Sequence, residues 1–398
     1  MYLRPIAAAS NAVLESELRR LEVDESCLGI FLDKKDSFLL KIKGMLTPAA
    51  NILKQTALSL GADVAVHRDV ITGKVDCSDA LFMGTRRQLG RVAVSLSGQP
   101  FGLAGFEKQI FTLLGNLENP PSSINLPKSA LPLDRPVIMG VLNVTPDSFS
   151  DGGSYLEPSA AISRLEEMLN EGADIIDVGA ESSRPGADAV STDTQIERLN
   201  PVFEYLKTKD IHWSIDTTSP LVAERAIKAG ASIINDVSGG KVPELWSLAS
   251  RSGAAYVLMH SKGVPKTMQN DPQYDDFNEE LYEFFRAKLD EINAIGLSVK
   301  KMLIDPGIGF GKRVHDNSLA IARLAELKAF GVPILVGASR KSFIGKLLGL
   351  EVGERLEASI AASVISYLNG ASILRVHDVA EHRRALDAAS LISKGGER

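Results

Sequence analysis

The chain is short of cysteine: Cys27 and Cys77 are its only two, both in the first third and without metal-ligand spacing. A disulfide framework and a cysteine-ligated metal centre are excluded, and a reducing compartment is expected. No apolar run approaches the ~20 residues of a membrane-spanning helix. The first ten residues also lack the basic flank and apolar stretch of a secretion signal, so a cytoplasmic location is expected. Positive charge is scarce too, with 44 Lys and Arg against 50 Asp and Glu and a net charge of −6. This rules out general attraction to nucleic acid or anionic lipid, and any bound anion must be held by local groups.

What is present is a globular composition, 44% hydrophobic and 24% charged, in a chain long enough for two or three domains. It divides at a proline-rich stretch with little periodicity. We read residues 118–134 as a stiff linker, residues 1–117 as a small α+β domain and residues 135–398 as a second domain. In the first domain Leu14, Leu18 and Leu21 recur at helical spacing. Residues 29–32 and 38–42 read as strands around a polar turn, and 47–60 as a helix with Thr47 as cap, Pro48 at its first position and Gly61 at its end. Residues 64–66, 80–83 and 92–96 read as short strands, and 106–117 as a closing helix. Arg86, Arg87 and Arg91 suggest an anion site or a subunit contact, or simply a solvated surface.

From residue 135 a unit repeats. Apolar strand candidates stand at residues 137–142, 174–178, 213–215, 232–234, 255–259, 302–304, 334–336 and 372–374. Between them lie stretches of helical period such as 160–170, 221–229, 277–295 and 320–330. Eight such units over residues 135–398 suit a (β/α)8 TIM barrel, whose usual length is about 250 residues. A doubly wound open sheet is the runner-up.

Each apolar run ends in polar residues: Asn143; Glu181 with Ser182, Ser183 and Arg184; Asp216; Asn235 with Asp236; His260; Asp305; Ser339, Arg340 and Lys341; Arg375 with His377. In a barrel these meet on the face where barrel enzymes keep their active sites. By chemistry they sort into two groups. Asp216, Asn235, Asp305 and Lys341 suit a flat, nitrogen-rich heterocycle, because a carboxylate accepts two parallel hydrogen bonds from an amidine-like edge. The competing reading is a plain Asp305–Lys341 salt bridge. Asn143, Arg184, Arg375 and His377, with the hydroxyls of Ser182 and Ser183, suit a phosphate or diphosphate. An Asn oxygen can also ligate Mg²⁺ that shares its shell with phosphate and water. His377 could instead cap the following helix, and His260 reads as a packed histidine rather than a catalyst. The loop DPGIGFGK, 305–312, allows close backbone approach to a ligand but lacks the spacing of a Walker loop.

Eight motifs then make a resemblance specific. LNVTPDSFSDGG (142–153), ESSRPG (181–186), IDTTSP (215–220), INDVSG (234–239), LMHSKGVPKTMQ (258–269), DPGIGFGK, GASRKSFIG (337–345) and RVHDV (375–379) together resemble dihydropteroate synthases over essentially all of residues 135–395. The resemblance implies a homodimeric enzyme of folate biosynthesis that joins 4-aminobenzoate to 6-hydroxymethyl-7,8-dihydropterin diphosphate and releases pyrophosphate. Carried over residue by residue, Asn143 binds Mg²⁺, Asp216, Asn235, Asp305 and Lys341 hold the pterin, and Arg375 and His377 hold the diphosphate. Ser183, Arg184, Pro185, Phe310 and Ser342 shape the aminobenzoate pocket. No general acid or base is implied, since the arylamine is a sufficient nucleophile once charge on the leaving pyrophosphate is stabilised. Ser183 stands where the family usually has Thr, and Ala180 where Gly is common. Two alternatives are a pterin-dependent methyltransferase, which needs no diphosphate half, and a non-catalytic pterin-binding protein whose first domain recruits a partner.

Overall fold

The computed structural model describes residues 4, 11–145, 158–181, 190–263, 268 and 272–394. They group into two compact units, Met1–Glu118 and Asn119–Arg398, each with its own apolar core.

The first unit runs α1 (Asn11–Arg20), α2 (Glu25–Leu32), β1 (Ser37–Leu46), α3 (Thr47–Ser59), β2 (Asp63–Val66), β3 (Cys77–Thr85), α4 (Arg86–Leu96) and α5 (Phe106–Glu118). Its strands pair antiparallel in the order β1-β3-β2. Alternation sets the faces: Val64, Ala80 and Phe82 join Leu53 of α3, Leu89, Val92 and Leu96 of α4 and Leu114 of α5 in the core. Leu39 and Leu81 lie on the opposite, exposed face.

Three local expectations fail in this unit. Residues 29–32 are helical, because Asp24 caps α2, its Oδ1 accepting from the Ser26 N–H at 2.8 Å, and the apolar run continues that helix. Residues 92–96 are the second half of α4, which a Thr85/Gln88 capping box opens and which buries Leu89, Val92, Ala93 and Leu96 at helical spacing. Thr47 starts α3 without capping it, since its hydroxyl donates to the Val75 carbonyl. Of the three arginines, Arg86 is engaged within the unit, its Nε 2.8 Å from Glu118.

The second unit opens on a further correction. The stretch read as a linker folds into an antiparallel hairpin of β4 (Ser123–Asn125) and β5 (Ala130–Pro132). Its Ile124, Leu126 and Leu131 are buried against Val137, Met139, Ile175, Ile233, Val257, Leu303 and Ile373. Lys301 Nζ ties it down by donating to the Asn125 carbonyl at 2.6 Å. The prolines therefore stiffen a folded plug, not a spacer.

Eight parallel strands follow: β6 (Val137–Asn143), β7 (Ile175–Gly179), β8 (His212–Asp216), β9 (Ile233–Asp236), β10 (Ala255–Met259), β11 (Met302–Asp305), β12 (Leu335–Val336) and β13 (Ile373–Val376). They are hydrogen-bonded in the order β11-β10-β9-β8-β7-β6-β13-β12. The Ile304 N–H donates to Pro333 O at 3.1 Å and Ile304 bridges Ile334, which brings the two ends together. The result is the expected (β/α)8 barrel rather than an open sheet. Around it lie α6 (Pro158–Asn170), α7 (Thr192–Leu206), α8 (Pro220–Lys228), α9 (Pro243–Ser252), α10 (Phe277–Ala294), α11 (Val314–Ala322), α12 (Ser342–Leu348), α13 (Leu356–Leu368) and α14 (Val379–Ser393). Strand residues alternate between two cores. Ile138, Ile176, Trp213, Ile234, Tyr256 and Leu374 pack outward with the helices, whereas Val137, Met139, Ile175, Ile233, Val257 and Ile373 face inward on the hairpin. Among the described residues no helix is long and apolar enough to cross a membrane.

The hairpin's burial is testable. Ile124→Ala, at a position 1% exposed, is expected to destabilise the barrel by about 2–4 kcal/mol. Urea unfolding followed by tryptophan fluorescence checks this selectively, because both tryptophans, Trp213 and Trp246, are buried in the barrel unit. An unmoved midpoint would show that the hairpin is no part of that core.

Candidate active site

The inward row of each strand changes character from one end to the other. Val137 and Met139 lead to Asn143, Ile175 to Asp177, Ile233 to Asn235, Val257 to Met259, Leu303 to Asp305, and Ile373 to Arg375. Because strand side chains alternate, residues two apart share a face. The polar residues are therefore the upper, inward positions of strands whose lower positions fill the barrel.

Asn235, Asp305, Phe310, Lys341 and Arg375 line one cleft, together with Val237, Met259, Ile308 and Gly337. Arg375 is gripped from two sides, its Nε donating to Asp177 Oδ2 at 2.6 Å and its Nη2 to Asp216 Oδ2 at 2.7 Å. Asp177 also accepts from Ser214 Oγ at 2.5 Å and from Asn235 Nδ2 at 3.1 Å. Asn143 and Asp216 flank Gly179, where a Cβ would lie 3.6 Å from Asn143 Oδ1 and 3.4 Å from the Asp216 Cβ. Ser183, Arg184 and Pro185, with Ser182, lie outside the described residues.

Burial dominates the electrostatics. It pushes the Asp216 carboxyl up to about 7, against the pull of Arg375. It pushes Asp305 up to about 6, opposed by the Gly307 N–H, which donates to Asp305 Oδ1 at 2.7 Å. His377 is pushed down to about 3 by burial and then by Arg375, so its imidazole is neutral at physiological pH. Its Nδ1 lies 3.2 Å from Ser339 Oγ, and Asp378 rather than His377 holds the cap position of α14.

The loop after β11 is pressed onto the end of β10. At Gly307 (φ +67°) and Gly311 (φ +62°) a Cβ would lie 2.0 Å from the His260 carbonyl oxygen and 2.1 Å from that of Lys262. Only glycine fits either position. The buried Lys312 ammonium fastens the same junction, within 2.8 Å of His260 Nδ1, 3.2 Å of His260 O and 3.1 Å of Phe310 O. Burial pushes this lysine down to about 7. His260 is the packed histidine expected, edge-on to Phe284 with ring centroids 4.8 Å apart. Phe310 in turn carries the Lys341 ammonium 4.3 Å above its ring centre. Lys341 follows Arg340, whose left-handed backbone (φ +58°) is unusual for a side chain of that size. The exposed Ser342 begins α12, outside the residues lining the cleft.

Two points differ from the sequence reading. Arg375, grouped with the anion-binding residues in the sequence, lines the cleft beside Asn235 and is paired with Asp177 and Asp216, two carboxylates that compensate the burial of its charge. Asp177 and Ser214 were missed. The available signal was the pleat: Asp177 stands polar on the inward row of the apolar β7, and Ser214 lies two residues before Asp216 on the inward row of β8.

Residues 139–377 match the family described as pterin binding enzyme. The dihydropteroate synthase of Escherichia coli (strain K12) is 44% identical over 273 residues, 68% of this chain and 97% of that protein. A solved structure of the Yersinia pestis dihydropteroate synthase with a sulfonamide drug complex superposes with a TM-score of 0.65 at 40% identity, covering 68% of this chain and 99% of that one. The chain belongs to the dihydropteroate synthase family. It is accordingly a transferase of folate biosynthesis, and the matched segment runs from β6 to His377. The bifunctional dihydropteroate synthase/dihydropteroate reductase of Helicobacter pylori is 33% identical over 373 residues, 93% of this chain and 94% of that protein. An alignment of that length extends beyond the barrel unit into the first unit.

Proposed function

We propose that this cleft performs the synthase reaction on 6-hydroxymethyl-7,8-dihydropterin diphosphate and 4-aminobenzoate, with pyrophosphate as leaving group. The observation that carries the assignment of parts is the meeting of Asn235, Asp305, Lys341 and Arg375 in one cleft. The Asp305 carboxylate accepts the paired N–H groups of the pterin's aminopyrimidine edge, and Lys341 donates to a ring carbonyl or nitrogen. Asp216 and Asn235 border the same ring. Arg375 adds positive charge beside it, and His377 offers the diphosphate a neutral imidazole N–H. In the reaction the methylene C–O bond breaks, its electron pair leaves on pyrophosphate, and the arylamine lone pair forms the new C–N bond. The amine proton passes to solvent, so no side chain need act as a general base.

Asn143 fits Mg²⁺ only as one oxygen among several: among the described residues no three His, Cys, Asp or Glu side chains form a metal cluster. A single amide oxygen suits an ion that keeps water and phosphate oxygens in its shell. Bound there, Mg²⁺ would neutralise charge developing on the leaving diphosphate. A pterin-dependent methyltransferase would leave the RVHDV and SRKS segments without a diphosphate to serve. The aminobenzoate site is assigned to Phe310, Ser342 and residues 183–185, and the enzyme to the cytoplasm.

Helix α13 supports a homodimer. Its buried side carries Ser359, Ser363 and Ser366, while Ile365 and Leu368 are exposed, as are Leu347 and Leu348 on α12 and Ile392 on α14. A helix with serines inside and aliphatics outside is patterned to bury its outer face against another surface. For the first unit, the extent of the Helicobacter pylori alignment favours a second reading, a reductase step on the same product with hydride from a reduced nicotinamide or flavin.

The decisive assay is pyrophosphate release, expected only with both substrates and Mg²⁺, and inhibited by a sulfonamide competitively with 4-aminobenzoate. Pterin binding without release would leave only a binding protein. Asp305→Ala should weaken pterin binding at least about 100-fold through two lost charge-assisted hydrogen bonds. Wild-type affinity should fall as pH drops below about 6, where Asp305 takes a proton and loses an acceptor; a pH-independent affinity contradicts the assignment. Light scattering should report a dimer that Ile365→Glu converts to monomer, and an unchanged mass would move the interface elsewhere. Dihydropteroate-dependent oxidation of a reduced nicotinamide or flavin by the full chain tests the reductase reading, which no oxidation would remove.

A further inference from the structure

One buried carboxylate carries none of the roles above, yet two of the three groups that donate to it line the cleft. Asp177 is fully buried. Its Oδ2 takes Arg375 Nε at 2.6 Å and Asn235 Nδ2 at 3.1 Å, and its Oδ1 takes Ser214 Oγ at 2.5 Å. All three neighbours are donors, and two of them line the cleft.

The consequences for those two differ. An amide whose nitrogen donates to a carboxylate has only one orientation, so Asn235 must turn its oxygen away from Asp177. As a cleft-lining residue it then meets a ligand as an acceptor. Arg375 is held at Nε by Asp177 and at Nη2 by Asp216. Two fixed points set the plane of a rigid guanidinium, where one would leave it free to swing. Neutralising Arg375 alone would not require Asp177, because Asp216 already supplies a carboxylate.

We propose that Asp177 is a positioning residue for the ring-binding half of the site, fixing the acceptor face of Asn235 and the plane of Arg375 without touching the ligand. This rests on the reading of the cleft as a pterin slot. Ser214 acts one step further out, by holding the second oxygen of Asp177.

The test is Asp177→Asn in the full chain. The volume is kept, but the new amide cannot accept from Asn235, Arg375 and Ser214 together as the carboxylate does, so at least one of them turns. kcat/KM for the pterin diphosphate should fall about 100-fold, the scale of a misplaced binding group. KM for 4-aminobenzoate should stay within about two-fold, since that substrate is bound by other residues. A merely structural role would lower both substrates' parameters together, and equal losses, or no loss, would overturn the proposal. Should this variant fail a tryptophan-fluorescence melt, Ser214→Ala decides: a loss of about five-fold confined to the pterin, the scale of one weakened hydrogen bond, supports the proposal, and no change or an equal loss for both substrates overturns it. Wild-type protein without turnover would instead remove the reading on which the proposal rests.

Discussion

The site depends on one constraint, the two-residue repeat of a strand inside a closed barrel. The inward rows of β6, β7, β9, β10, β11 and β13 have apolar lower ends, which pack on the hairpin of Ile124, Leu126 and Leu131. The upper end of the barrel interior is polar, and there the chain places Asn143, Asp177, Asp216, Asn235, Asp305 and Arg375. A slip of one residue in β7, β8 or β11 would turn Asp177, Asp216 or Asp305 into the helix layer and an aliphatic into the cleft. The register that fills the core is therefore the register that builds the site. The hairpin supports the chemistry from the far end of the barrel by keeping the lower rows dry and packed.

The charges brought together this way are uncomfortable without a ligand. Asp216 at about 7 and Asp305 at about 6 stand above their ordinary 3.8, so the folded protein holds protons that the unfolded chain has released. From these two groups stability falls as pH rises from about 4 to about 7. Lys312 at about 7, down from 10.5, has the opposite sign, and its contribution recovers as pH rises through that interval. Near neutrality the site thus holds destabilising groups of both signs. A ligand that gives N–H groups to Asp305 and accepts from Lys341 offsets part of that cost, so binding and folding draw on the same interactions.

Much of this was legible in the sequence, for physical reasons that also mark where reading stopped. All eight strands show as apolar runs because a barrel strand is buried on both faces, and the polar residue ending each run marks the functional rim. Short segments of the first unit were ambiguous: residues 92–96 are as apolar as a strand, and only the Thr85/Gln88 capping box upstream makes them helical. Prolines at 120, 121, 127 and 132 suggested a spacer, but edge strands of a small hairpin tolerate proline, and Ile124 and Leu131 between them are core residues. The ion-pair partners of Arg375, Asp177 and Asp216, lie 198 and 159 residues away in the chain. Pairing over such distances is fixed by strand order, which composition does not contain.

The division between strand and loop also separates two kinds of recognition. A flat heterocycle is read by hydrogen bonds whose directions must be fixed to within a fraction of an ångström, and the groups assigned to it stand mostly on strand ends. Lys341 is the exception, and both it and the Phe310 ring beneath its ammonium are immobilised by other means. The backbone around Phe310 lies against the carbonyls of His260 and Lys262 wherever glycine permits contact, and Lys312 fastens that junction from inside. Lys341 follows a left-handed Arg340 whose N–H donates to Ser359 Oγ at 3.0 Å and whose Nε donates to Asp378 at 3.0 Å. A strained backbone persists only where its surroundings over-determine it. Here three elements, α13, α14 and the turn itself, hold one lysine where the ring-binding cleft needs it.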